Sequence, residues 1–545
     1  MPVVELELPR LQKLVGRTNR QKILQTLPFL GLDIESQEND IVRVEYSPNR
    51  PDYSTDFGIA LGLQGLLGSK KGAVKLKIKK IGGYQINVNT TVSKVRPFVT
   101  GIVALNRKID EKVLQQIIVM QEDLHFGIGR KRKKSSIGIH DLDTISFPLT
   151  YTTTNRNHKF VPLNSSTENT ISEILKNSEV GQDYGYILGN SDKVPIIMDS
   201  LGNTVSFPPI INSFMTTVTT KTKNLFVEVT GTGKNDVEDM LSVVATTLQN
   251  AGFELCTVKI SGAKNSTPQF KQRKILLNRD LVNTMLGLNL SSRNIASALK
   301  KCRLDATPKN KTISCVVPRY RFDIFGPMDL VEEVTLGYGI ENLNPNLSPS
   351  QTLGQKNHES DVLNNLRQIM IGLGYMEAYN TSLTSTRILF ELTKRDSSNI
   401  ISVMNSKSQE HTILRDSILA GLVNNLSNNI HELYPQKLFE IGTVFSKGNP
   451  IKEEIHLACV CVHNDANFSE IKSILQSALK TGFNIECKTK TSSNPIFAEG
   501  KTADILVNDK PFGVIGEIDS EVKENFKIRA SVVGFEIKLS GLIFD

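Results

Sequence analysis

Between Tyr320 and Gly339 the chain reads YRFDIFGPMDLVEEVTLGYG, which places Asp323, Asp329, Glu332 and Glu333 within eleven positions. Four carboxylates this close repel one another and need a counter-charge. A hard divalent cation with oxygen ligands and some retained waters, magnesium above all, is one source. On a helix starting at Asp329, Glu332 and Glu333 follow at i+3 and i+4 on the same face, and Asp323 returns through a Gly326–Pro327 turn. The alternative is a capping box. In it Asp329 at the N-cap accepts from the Glu332 amide, Glu332 reaches back, and the helix dipole favours each acid by roughly 0.3–1 kcal/mol. Spacing leaves both readings open.

A second polar set lies in PPIINSFMTTVTTKTKNLFVEVTGTG, where Asn212, Ser213, Glu228, Thr230 and Thr232 are able to position a water or a small polar substrate. Threonine alternation is equally what a strand prefers. The run Arg130, Lys131, Arg132, Lys133 and Lys134 is either a phosphate-contact loop or a solvated basic loop. His140, followed by Asp141 and Asp143 in SIGIHDLDTI, reads as a base oriented by a carboxylate or as a structural histidine in a turn. No serine or cysteine nucleophile motif accompanies it. The six cysteines form no C-x-x-C pair, and Cys459 and Cys461 alternate in ACVCV as buried small hydrophobes on one face of a strand. Neither zinc nor a disulfide framework is expected. No G-x-x-x-x-G-K-[ST] loop and no G-x-G-x-x-G turn is present, so nucleotide binding is not written in a motif of this chain.

The elements that must position these residues occupy 545 positions, enough for three to four domains at about 150 residues each. Hydrophobic residues at 39% and charged residues at 22% exclude a disordered or collagenous chain, and 64 basic against 56 acidic residues leave +8, which permits a polyanionic partner without demanding one. The N-terminus lacks the apolar core of a secretory signal, and no apolar run approaches the roughly 20 residues of a membrane span, so a cytoplasmic chain with no membrane partner is expected. Residues 1–90 read as an N-terminal α+β module. Residues 91–265 mix strands and helices as a compact α/β or α+β domain. Residues 268–345 give two helices joined by LNLSS, a helix-turn-helix-like module ending in the acidic cluster. Residues 346–545 alternate strands and helices as a large antiparallel sheet flanked by helices. In VKLKIKK, Lys75, Lys77 and Lys79 read as the solvent side of a strand.

The ordered motifs SPNRPDYSTDFGIALGL, SIGIHDLDTI, PPIIN…TKNLFVEVTGT, YRFDI…MDLVEEVTLGYG and YPQKLFEIGTVF resemble, from end to end, the phenylalanyl-tRNA synthetase beta subunit of archaeal and eukaryotic type, without a C-terminal anticodon-binding extension. The resemblance implies an α2β2 assembly with an alpha subunit, joining phenylalanine to phenylalanine tRNA with ATP at a site in the alpha partner. It implies a magnesium ion shared through Asp323, Asp329, Glu332 and Glu333. The second domain would be an editing-type, tRNA-binding domain with Ser213, Thr230 and Thr232 in its pocket. The last domain would be class II synthetase-like without catalytic residues, since Leu438 stands where an ATP-holding arginine precedes Glu440. Phe214 and Gly233 replace acidic residues expected after IIN-small and TGT, which implies weakened editing.

Overall fold

The computed structural model describes residues 2–261, 269–345, 347 and 353–543. The chain divides into two compact units, residues 1–346 and 347–545. The expected boundary at 265–268 lies outside the described residues.

The first unit starts with strand Val3–Glu7, helices Leu8–Val15 and Arg20–Thr26, and strands Leu32–Glu38 and Ile41–Tyr46, the last strand central in a three-stranded antiparallel sheet. Its alternate residues Val42, Val44 and Tyr46 face inward onto Leu6, Leu11 and Ile23. Helix Asp56–Leu66 follows, opened by Thr55, whose hydroxyl accepts from the Gly58 N–H. It is buried on nearly every face. Ile59, Ala60 and Leu63 join the N-terminal core and Phe57 joins the next one. A Cβ at Gly58 would sit 1.5 Å from the Asp52 carbonyl oxygen, so this helix approaches the RPDY turn only because position 58 is glycine.

Two sheets form the centre of this unit. One has five strands, with Leu225–Gly231 paired antiparallel on its two sides to Phe98–Leu105 and Ser135–Asp141. The other has six, including Lys193–Met198, Leu149–Asn155 and Gln85–Val88. Strands Ile78–Lys79 and Gln85–Val88 pair in parallel with Glu254–Thr257 and Lys259–Ile260, so the central region starts before residue 90. The sequence hides this, because parallel partners about 175 residues apart leave no local trace. Lys75, Lys77 and Lys79 are exposed as expected, yet only Ile78–Lys79 is strand. Helix Lys234–Asn250 lays Val237, Met240, Leu241, Val244 and Leu248 into the core, and Gly252 turns the chain at a φ of +100°, in the left-handed half of the map.

Beyond it, helices Arg279–Leu286 and Ser292–Lys301 pack with helix Pro327–Tyr338 on a three-stranded sheet of Arg273–Asn278, Thr312–Val317 and Asp305–Lys309. Ser291 caps the second of these helices by accepting from the Asn294 N–H.

The second unit carries a seven-stranded sheet, antiparallel except for its edge strand Met376–Glu377, which runs parallel to Gln436–Ser446. Helices His358–Gly372 and Phe468–Phe483 cover one face with Leu366, Met370, Ile471 and Leu475, and helix Leu419–Asn428 covers the other. Cys459 and Cys461 in strand Lys452–His463 are buried on the first of these faces, as their alternation requires.

Candidate functional site

Helix Glu111–Phe126, strand Ser135–Asp141, strand Leu225–Gly231 and the segment from Ser206 to Val218 enclose a cavity of about 370 Å³. Leu114, Ile117 and Ile139 give it apolar walls, and Glu122, His125, Arg132, Asn212, Ser213 and Glu228 give it polar ones. Glu228 is the most constrained. It sits mid-strand opposite Gly138 on one side and Gly101 on the other, is 1% exposed, and accepts from the Ser206 hydroxyl at 3.0 Å through Oε1. Its Oε2 has no hydrogen-bond partner among the described residues. Burial pushes this carboxyl up to about 7, against the smaller opposing effects of Ser206 and Arg96. Glycine is required opposite, because a Cβ at position 138 would lie 2.5 Å from Glu228 Oε1 and 2.6 Å from His140 Nε2. Gly138→Ala is therefore expected to cost about 1–3 kcal/mol by overpacking, read as a lowered thermal midpoint.

The cavity's far wall is an ion-paired group. The Ile137 N–H donates to His125 Nε2 at 2.8 Å, so Nδ1 carries the proton and faces Glu122 at 3.3 Å. Arg132 donates to both Glu122 oxygens at 3.0 and 3.2 Å. Burial alone would raise Glu122, but His125 and Arg132 outweigh it and bring the carboxyl to about 2. Arg132 also donates to the Ile210 carbonyl at 2.9 Å and covers the Tyr184 ring. Its side chain is thus withdrawn from the RKRKK loop. Arg130, Lys131 and Lys133 are exposed, Lys134 is half-buried, and the phosphate-contact reading loses its central member.

The five residues read as a polar set separate in space. Asn212, Ser213 and Glu228 line the cavity. Thr230 and Thr232 do not: the Thr230 hydroxyl accepts from Arg96 Nε at 3.0 Å, and Thr232 is exposed against the Lys134 carbonyl. Asn212 donates to the Ile139 carbonyl at 3.3 Å and Ser213 to Val161 at 3.4 Å. Phe214 and Gly233 are also outside the lining, Phe214 with its ring exposed and Gly233 at the start of helix Lys234–Asn250. His140 lies within a strand instead of a turn. It is fully buried, faces the Thr216 hydroxyl at 2.8 Å and is driven down to about 3 by burial. Asp141 and Asp143 face away from it, taking hydrogen bonds from Thr222 and Asn224. Among the described residues no carboxylate is hydrogen-bonded to it to orient it as a base. Glu122, His125 and Ser206 were not legible in sequence, because nothing local distinguishes them from surface or core residues.

The acidic cluster is organised by Arg321, itself 1% exposed. This guanidinium donates to Asp323 at 2.7 and 2.9 Å and to Glu333 Oε1 at 2.5 Å, so it supplies counter-charge that the sequence reading assigned to a cation. Burial would raise the Asp323 carboxyl, and the Arg321 pairing reverses that and holds it below the ordinary range. The helix starts at Pro327, two residues earlier than expected, because proline suits the first helical turn. Asp329 is consequently at the third position of the helix, and its Oδ2 accepts from the Phe325 and Gly326 N–H groups at 2.6 and 2.8 Å. The cap reading holds in this altered form. Asp329→Ala is expected to cost about 1 kcal/mol in the unfolding of this module, seen as a lower urea midpoint. Glu332 is exposed, and among the described residues the four carboxylates do not close into a group with three ligand atoms within 4.8 Å. The donor set still fits a hard dication: all four side chains offer carboxylate oxygens, and each oxygen clamped by Arg321 retains a second lone pair.

In the second unit, Arg415 donates to Glu440 Oε1 at 2.5 Å and Asn380 donates to Oε2 at 2.7 Å. Glu440 is fully buried, and this arginine is bound to it from 25 residues upstream.

Residues 345–539 match the family described as the phenylalanyl tRNA synthetase beta chain CLM domain, and residues 275–340 match the tRNA synthetase B5 domain. The chain is 38% identical over 550 residues to a phenylalanine–tRNA ligase beta subunit of Archaeoglobus fulgidus, covering 100% of this chain and 99% of that one. It is 36% identical over 554 residues to the corresponding subunit of Methanocaldococcus jannaschii, covering 99% and 100%. A solved N-terminal fragment of the phenylalanyl-tRNA synthetase beta subunit from Pyrococcus horikoshii is similar at 29% identity and TM-score 0.59, covering 62% of this chain and 99% of the fragment. On this end-to-end similarity, the chain belongs to the family of phenylalanine–tRNA ligase beta subunits.

Proposed function

We propose that the chain acts as the beta component of a phenylalanine–tRNA ligase, joining an alpha subunit in an α2β2 heterotetramer that charges phenylalanine tRNA with phenylalanine at the expense of ATP. The observation that carries this is similarity to named beta subunits over the full length of both chains. Activation of the amino acid belongs to the partner. In support, Leu438 stands two residues before Glu440, and Arg415, the arginine beside that glutamate, is bound to it and withheld from a phosphate. Residues 268–345 act on this reading as a helix-turn-helix-like module and residues 346–545 as a class II synthetase-like domain without catalytic residues. No helix among the described residues is long and apolar enough to cross a membrane.

The cavity beside Glu228 is the editing pocket on this reading. A carboxyl titrating near 7 is shared between its neutral and charged forms at physiological pH and can exchange hydrogen bonds with an added phenolic hydroxyl, which an all-apolar pocket cannot discriminate. Asn212 and Ser213 line the same space. Phe214 and Gly233 lie off the lining, so their identity gives no reason for weakened editing. Magnesium, when bound between the subunits, would screen the acidic cluster. Arg321 orients Asp323 and Glu333 for it, and Asp329 and Glu332 add the remaining carboxylates.

Co-expression with a candidate alpha chain tests the assignment. An equimolar complex that charges phenylalanine, and releases tyrosine from mischarged phenylalanine tRNA, is the expected result. Adenylate formation by the isolated chain would overturn it.

A further inference from the structure

The end of strand Lys452–His463 and the first turn of helix Phe468–Phe483 bring together three side chains of unlike chemistry. His463 Nε2 lies 2.7 Å from Glu470 Oε2, Cys461 Sγ lies 3.8 Å from Glu470 Oε1, and one ligand atom from each residue falls within 4.8 Å of the others. The arrangement has a local cause. Positions 461 and 463 share one side of the strand by alternation, and Asn467 opens the helix by accepting from the Glu470 N–H, which fixes Glu470 in the first turn over them. Behind the group is Tyr375, 3% exposed, whose hydroxyl lies beside the Cys459 and Cys461 sulfurs. Lys437, with its ammonium 3.4 Å from Glu470 Oε1, is the one cation at the site among the described residues.

We propose that Cys461, His463 and Glu470 bind a single zinc ion that pins the end of the sheet to the helix. A thiolate, an imidazole and a carboxylate form a borderline-soft donor set that suits zinc over magnesium or calcium. Around tetrahedral zinc the donors stand about 3.3–3.6 Å apart, so the cysteine–glutamate spacing is already close to that and the histidine–glutamate hydrogen bond opens by a few tenths of an ångström. His463 and Glu470 are partly exposed, which leaves the fourth position open to water. Two protons stand in the way. The Cys461 thiol and the His463 ring nitrogen facing Glu470 must both be bare to ligate, so binding releases protons. Lys437 competes for the same carboxylate.

The test uses the full-length chain stripped with chelator and titrated with zinc chloride against a chromophoric chelator, with cobalt chloride as a spectroscopic substitute. Wild type should retain about one equivalent and give a thiolate-to-cobalt charge-transfer band. Cys461→Ser should abolish that band and the bound equivalent, and His463→Ala, at a partly exposed position, should abolish the bound equivalent as well. Cys459→Ser should keep both. Lys437→Ala should tighten zinc by roughly 10-fold, because a cation beside the shared carboxylate is gone. Failure of the wild type to retain zinc, or retention in either Cys461→Ser or His463→Ala, overturns the assignment.

Discussion

Arg321→Met should destabilise the first unit by about 3–5 kcal/mol, the cost of leaving a buried charge without its partner. The guanidinium is 1% exposed and is held by Asp323, Glu333 and the Cys302 carbonyl, so methionine fills the volume but strands two carboxylates whose side chains are 11% and 7% exposed. The pH dependence separates this from a packing loss. In the wild type, Asp323 titrates below its ordinary value, so the stability it contributes is present above the unfolded carboxyl pKa and is lost as pH falls through the folded one. In Arg321→Met that contribution is gone and the stranded acids take up protons, so the gap between variant and wild type should narrow as pH drops. Combining it with Asp323→Asn and Glu333→Gln should recover most of the loss, since replacing all partners removes the unpaired charge. Thermal melts from pH 4 to 8 measure both effects, and a variant melting with the wild type throughout would mean that the clamp has no energetic weight.

Glu228→Gln should move in the opposite direction, raising stability while impairing the proposed editing. Burial holds this carboxyl at about 7 against an ordinary 4.5, so the folded state binds the proton more tightly than the unfolded state does. Between those values the unfolded chain has lost its proton and the native chain has not. Stability therefore falls as pH rises from 4.5 to about 7 and levels off above. A difference of about 2.5 pH units at about 1.36 kcal/mol each makes the penalty about 3 kcal/mol at neutral pH. Glutamine keeps a carbonyl oxygen for the Ser206 hydroxyl and carries no charge, so the gain should be near zero at pH 4.5 and largest above pH 7. Release of tyrosine from mischarged tRNA by the assembled enzyme should meanwhile drop roughly 10- to 100-fold, the worth of a hydrogen bond to a charged group. A gain over the wild type that is no larger at pH 8 than at pH 4.5 would contradict the buried-carboxyl account. Unchanged deacylation would sever Glu228 from editing and leave the stability result standing.

Much of this protein is legible from residues close together in the chain. Caps at Thr55 and Ser291, the apolar stripe from Val237 to Leu248 and the alternation through Cys459 and Cys461 follow from local spacing, and the ordered motifs carry the resemblance. The strand holding Glu228 and Thr230 is of this kind too, and alternation places both on one face. Only the folded chain decides that Glu228 reaches the cavity while Arg96, 134 residues from Thr230, covers the next position on that face. In the same way, packing turns Arg132 inward from a basic run, assigns Arg321 to both Asp323 and Glu333, and sets His463 and Cys461 against Glu470. The physical reason is common to all of them. Helices, strands and caps are settled by hydrogen bonds and side-chain periodicity within a few residues, whereas the charge, proton affinity and partners of a buried polar group are set by desolvation and by neighbours that arrive from distant parts of the chain.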